Sequence, residues 1–84
     1  MYNGWTNRAT WNAVLWLTSD ENIYASMLCY FTGFGRIDSN DVYEYCSVLW
    51  PCGHTPDGDE LDDVDWRSVA TAVHELLRAE GVPL

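Results

Sequence analysis

The 84 residues include thirteen Asp and Glu against four arginines and no lysine, a formal charge of −9. So negative a chain is repelled by nucleic acid and by anionic lipid, which disfavours direct DNA or RNA binding and a membrane-surface role and points to basic partners. Its length suits one domain, residues 1–84, with a modest core enlarged by 14% aromatic residues. No apolar run approaches the roughly 20 residues of a membrane span. Three cysteines, behind an opening with neither a basic segment nor an apolar run, suggest a reduced, cytoplasmic setting.

The chain is organised around its opening. Trp5, Trp11 and Trp16 fall within a dozen positions, and each can bury about 150–250 Å². Asn3-Gly4 is a turn pair, and Thr6 is placed to cap a helix over residues 7–18. From Trp11 to Leu17 every residue but Asn12 is apolar, which predicts the central, most buried helix. Thr10 and Asn12 are then expected to bond to nearby backbone or to loops packed over the helix, because buried polar groups rarely stay unpaired.

The run Asn3-Gly4-Trp5-Thr6-Asn7, then Thr10-Trp11-Asn12, then Leu15-Trp16-Leu17 resembles the opening of a family of small, mostly uncharacterised proteins encoded by bacteriophages and mobile elements. The match covers residues 3–24. Val64-Asp65-Trp66-Arg67 is similar as well, though far less specific. Family members often carry an acidic residue where Ala9 stands, which would complete a capping box with Thr6. The resemblance brings no activity with it. It implies a phage or prophage origin and a protein acting in the cytoplasm of a bacterial host.

A second helix is expected from Ser19 as cap, with Asp20 and Glu21 facing the positive end of the helix dipole. Ile23, Tyr24, Met27, Leu28 and Phe31 form its apolar face, Gly33 ends it, and Phe34 between two glycines should anchor the connection in the core. Asp38, Ser39 and Asp41 announce a third helix with Val42, Tyr45, Cys46 and Leu49 on one face and Tyr43 and Trp50 beside it. Pro51 and Gly53 stop it. Residues 51–64 hold Gly53, Pro56 and Gly58 and little apolar material, so they read as a mobile surface loop. Asp65 caps a last helix with Val64 as a hydrophobic staple. Its stripe is Trp66, Val69, Ala70, Val73, Leu76 and Leu77, and Gly81-Val82-Pro83 terminates it. The fold class is all-α, a compact bundle of about four helices.

Little of the sequence carries catalytic chemistry. The cluster Asp57, Asp59, Glu60, Asp62, Asp63 and Asp65 invites a calcium site, but Leu61 replaces a ligand and no bidentate Glu closes the loop. Cys29, Cys46, Cys52 and His54 lack the close paired spacing of a zinc site. Cys29 and Cys46 fall on helices, as buried thiols that fill a core do, and His74 reads as a surface residue. Cys52 and His54 lack the third orienting group and oxyanion donors that nucleophilic catalysis requires. No phosphate loop, dinucleotide fingerprint or nucleophile elbow occurs. No enzyme activity, cofactor or metal is expected.

The acidity remains. Asp20, Glu21, Asp38, Asp41, Asp62, Asp63 and Asp65 lie at or just before helix starts, where carboxylates hold free amides and oppose the dipole. Capping does not explain the missing cations, and −9 on so small a domain is self-repulsive. Duplex DNA presents about one negative charge per 1.7 Å of axis, and carboxylates fixed on helix starts can offer a basic groove a similar field. The expected partner is therefore a basic, nucleic-acid-binding host defence complex of CRISPR or restriction type. The candidate contact residues are Asp57, Asp59, Glu60, Asp62, Asp63 and Asp65 with Asp38 and Asp41. The alternative is an aromatic interaction module using Tyr2, Tyr43 or Trp50, with homodimerisation as one form of it and acidity serving solubility alone.

Overall fold

Each of the four helices begins on a side chain that holds the free amides of its first turn. The computed structural model describes residues 2–83. It comprises α1 (Arg8–Ser19), α2 (Glu21–Phe31), α3 (Ser39–Leu49) and α4 (Trp66–Ala79), with a single 3₁₀ turn, Leu61–Asp63, before α4. Among the described residues the only extended pairings are isolated bridges, Tyr2 with Trp5 and His54 with Glu60. This is the all-α, four-helix bundle that the apolar spacing predicts.

Two caps fall one residue later than expected. Asn7, not Thr6, caps α1, its Oδ1 accepting from the Thr10 amide at 2.9 Å. Asn outranks Thr as a cap, and the Thr6 hydroxyl is used elsewhere, donating to Asp65 Oδ2 at 2.7 Å. Ser19 closes α1, and Asp20 alone joins it to α2, accepting from the amides of Asn22 and Ile23. Asp38 and Asp41 form a reciprocal capping box on α3. Asp65 caps α4 through the Ser68 amide and hydroxyl.

The core differs from expectation in which aromatics it contains. Its largest fully buried apolar side chains are Phe31, Leu17, Met27, Leu77, Val42 and Val69. Trp5, Trp11 and Trp16 are only half-buried and Leu15 is exposed, so α1, although it buries more residues than any other helix, does so through Ala9, Thr10, Asn12, Ala13 and Leu17 and not through its tryptophans. It touches α2, α4 and the 3₁₀ turn, but its indoles cover the rim, where a large ring can keep its N–H within reach of a polar partner. Trp50 is the buried tryptophan. The α4 stripe is as predicted, with Val69, Ala70, Val73 and Leu77 buried and Trp66 and Leu76 packed beside them.

Phe34 does not anchor the α2–α3 connection. It is 41% exposed and lies against the rings of Tyr30 and Phe31, while Ile37 at 5% enters the core. Gly33 adopts φ +84° and Gly35 φ +76°, conformations that turn the chain and leave Phe34 outward. Of the two helical cysteines only Cys46 is buried; Cys29 is exposed. His74 is half-buried, with Nδ1 enclosed and without a hydrogen-bond partner.

Candidate functional site

The segment expected to be a mobile loop is folded on itself. Thr55 is fully buried; its amide donates to the Asp59 carbonyl at 2.8 Å and its hydroxyl accepts from the Asp59 amide at 3.1 Å. The Leu61 amide donates to the Gly53 carbonyl at 3.0 Å. Leu61 and Val64 enter the core. Two apolar side chains and one satisfied threonine thus help to seat a segment that composition alone marks as surface.

Three carboxylates of this segment face α1 and the turn that leads into it. Asp57 Oδ2 accepts from Asn12 Nδ2 at 2.8 Å and from the Trp16 indole N–H at 3.0 Å. Asp59 Oδ2 lies 3.2 Å from Arg8 Nε. Asp65 accepts from Thr6 and Ser68, while its own amide donates to Thr10 Oγ1 at 2.8 Å. Asn7 adds a bond from its side-chain amide to the Asp63 carbonyl at 2.8 Å. The polar residues of the Trp-rich opening thus form a latch that holds the acidic segment against the first helix.

The donors decide what the latch does to the charge. Asn12, Trp16, Thr6 and Ser68 are neutral, so they fix Asp57 and Asp65 without cancelling them. These bonds hold both carboxyls below the ordinary carboxylate range. Only Asp59 meets a cation, and the same bond raises the Arg8 guanidinium. Glu60, Asp62 and Asp63 are exposed, the latter two on the 3₁₀ turn. Five of the six candidate carboxylates between residues 57 and 65 therefore keep an uncompensated charge on an ordered backbone. Beside them, a shallow groove of about 260 Å³ is lined by Tyr43, Trp50, Glu60 and Asp62.

Asp38 and Asp41 occupy a different neighbourhood. Their carboxylates close the α3 capping box, and Asp38 borders a groove with Arg36, Arg67 and Arg78. Among the described residues no three His, Cys, Asp or Glu side chains meet as a metal site would require. His54 Nδ1–H donates to the Thr55 carbonyl oxygen at 2.8 Å, while Cys52 is exposed. Among the described residues no helix is long and apolar enough to cross a membrane. The latch itself had one trace in the sequence: Thr10 and Asn12 are polar inside an otherwise apolar helix.

No protein-family model matches the chain, and neither a curated protein nor a solved structure is detectably similar to it.

Proposed function

We propose that this protein is a non-enzymatic inhibitor that binds the basic, DNA-binding surface of a host defence complex and keeps DNA from it. In this reading it is phage-encoded and acts in the bacterial cytoplasm, against a CRISPR surveillance complex or a restriction enzyme. The observation that supports it is the uncompensated charge of Asp57, Glu60, Asp62, Asp63 and Asp65 on a segment latched to α1. A fixed set of carboxylates meets a lysine- and arginine-lined channel without first ordering itself, and preorganisation improves affinity by removing that cost. Tyr43, 40% exposed beside Glu60 and Asp62, offers a ring face for an incoming guanidinium.

The experiment is a gel-shift competition in which the protein displaces duplex DNA from such a complex. Displacement is expected to weaken steeply as salt rises, and Glu60→Gln, Asp62→Asn and Asp63→Asn combined should abolish it. Displacement unchanged by the triple substitution would remove this surface as the contact.

A second reading has its own observation. Val48 is 82% exposed, with Tyr30 at 44% and Phe34 at 41%, and Tyr30 and Val48 border one apolar groove between α2 and α3. Such a patch fits an aromatic interaction surface. Trp50 is too buried to contribute. Sedimentation of wild type against Val48→Lys tests self-association through this patch: it predicts a salt-insensitive dimer that the lysine abolishes.

A further inference from the structure

A −9 chain with thirteen carboxylates and four arginines should surround each arginine with acid. Only Arg8 has found one: the Arg8–Asp59 contact is the sole ion pair among the described residues. The other three guanidinium-bearing residues, Arg36, Arg67 and Arg78, line a single groove of about 520 Å³ between the start of α3 and the length of α4.

The arrangement comes from helix periodicity. Arg67, Thr71, His74 and Arg78 are spaced i, i+4, i+7 and i+11 on α4, one stripe flanking the apolar face. Arg36 arrives from the α2–α3 connection, with Ile37 and Ala70 lining the groove as well. Arg78 has a local explanation, since a cation in the last turn offsets the negative end of the helix. Arg67 has none: it occupies the first turn of α4, where the helix end is already positive. The acids in the groove neutralise it only in part. Asp38 keeps its charge, since its capping-box donor is a neutral amide, but Asp38 and Glu75 are outnumbered by three guanidiniums and neither is paired with one, beside the half-buried ring of His74.

We propose that this groove is a binding site for a compact, multiply charged oxyanion, of the kind carried by small phosphate esters and polycarboxylates. A guanidinium presents parallel N–H donors that match the oxygens of either group, and several of them round one cleft suit an anion whose charges are adjacent. Size follows from the surrounding field. A short anion stays within reach of the three arginines, whereas a long polyanion must run onto the acidic remainder of the surface, inside the screening length of about 8 Å at physiological salt. The groove has no Trp, Tyr or Phe side chain in its lining, so recognition rests chiefly on the anionic groups of the ligand.

Titration of the folded protein with pyrophosphate and, separately, with citrate, followed by calorimetry and by amide chemical shifts, tests this. Saturable binding is expected, with shifts at Arg36, Arg67, His74 and Arg78. Arg67→Gln and Arg78→Gln should each weaken it about tenfold or more, with unchanged far-UV circular dichroism, while Arg8→Gln leaves it intact. Tighter pyrophosphate binding assigns phosphate esters, and tighter citrate binding assigns polycarboxylates. The proposal is overturned if neither anion saturates, if the Arg67→Gln and Arg78→Gln proteins bind as wild type, if Arg8→Gln weakens binding equally, or if a DNA oligonucleotide binds more tightly than pyrophosphate.

Discussion

Replacing Thr10 by valine removes one oxygen and almost no volume, so it isolates the hydrogen bonding at the centre of the latch. The Thr10 hydroxyl is fully buried. It donates to Asn7 Oδ1 at 2.7 Å and accepts from the Asp65 amide at 2.8 Å. In Thr10→Val the Asn7 oxygen keeps the Thr10 amide, but the Asp65 amide, at the very start of α4, loses its partner. An unsatisfied, largely buried donor costs about 1–3 kcal/mol, here about 2 because Asp65 retains some solvent contact. A domain of this size shifts about 4–8 °C in Tm per kcal/mol, so a fall of about 8–16 °C is expected. The assay is thermal and urea unfolding followed by circular dichroism, with Thr18→Val as control. Thr18 lies on the same helix but is exposed, its hydroxyl donating to the Val14 carbonyl at 2.8 Å, and the control should stay within about 0.5 kcal/mol of wild type. If Thr10→Val and Thr18→Val prove equally stable, the latch contributes nothing and the account of it is wrong.

Phe31→Ala should cost about 3–5 kcal/mol by urea unfolding, because the ring is fully buried against Tyr30, Phe34 and Tyr45; Val48→Lys, at an 82% exposed position, should stay within about 0.5 kcal/mol. Burial pushes the Cys46 thiol up to about 12, so a thiol reagent at neutral pH should label exposed Cys29 and Cys52 quickly and Cys46 only on unfolding; rapid labelling of a third thiol in the folded protein would contradict the packing. The carboxyls of Asp57 and Asp65 are lowered in the folded state, so their stabilisation is complete above the unfolded value of about 3.9 and is lost as pH falls through the folded ones. Urea midpoints measured down the acid range should therefore fall below about pH 4, and less steeply in Asp57→Asn than in wild type.

What was legible in the sequence is what depends on residues close in the chain. The start of α3 at Asp38, Ser39 and Asp41, the Asp65 cap and the α4 stripe each follow from a few consecutive positions and hold in the fold. The misplaced features depend on distant partners. Thr6 was the better cap by position only until Asp65, 59 residues away, took its hydroxyl. Phe34 looked like an anchor by hydrophobicity, but Gly33 and Gly35 at positive φ bring Ile37 to the core instead. The acid-rich segment shows the same limit. Its composition announces solvent, while the donors that seat Asp57 lie 41 and 45 residues earlier. The convergence of Arg36 with the α4 stripe was likewise invisible, because only the turn between α2 and α3 brings that arginine to the groove.

The latch and the charge it carries can be separated experimentally. Asp57 is tied to Asn12 and Trp16 near one end of the acidic segment, and the Asp65 amide is tied to Thr10 at the other. If these two anchors hold one body, loss of either frees the residues between them, and loss of the second then costs less than it does alone. A double-mutant cycle of Thr10→Val with Asp57→Ala, which removes the acceptor of both bonds, should accordingly be sub-additive, beyond the roughly 0.3–0.5 kcal/mol within which independent sites add. Thr10→Val with Val48→Lys, on a face that shares no partner with the latch, should be additive. Hydrogen exchange gives the structural counterpart, since the Leu61 amide, bonded to the Gly53 carbonyl at 3.0 Å, should lose protection in both single variants if the segment opens as a unit. Additive energies together with an unchanged Leu61 amide would mean that each anchor acts locally. Glu60, Asp62 and Asp63 would then be held by Leu61 and Val64 alone, and the polar residues of the opening helix would have no part in presenting them to a partner.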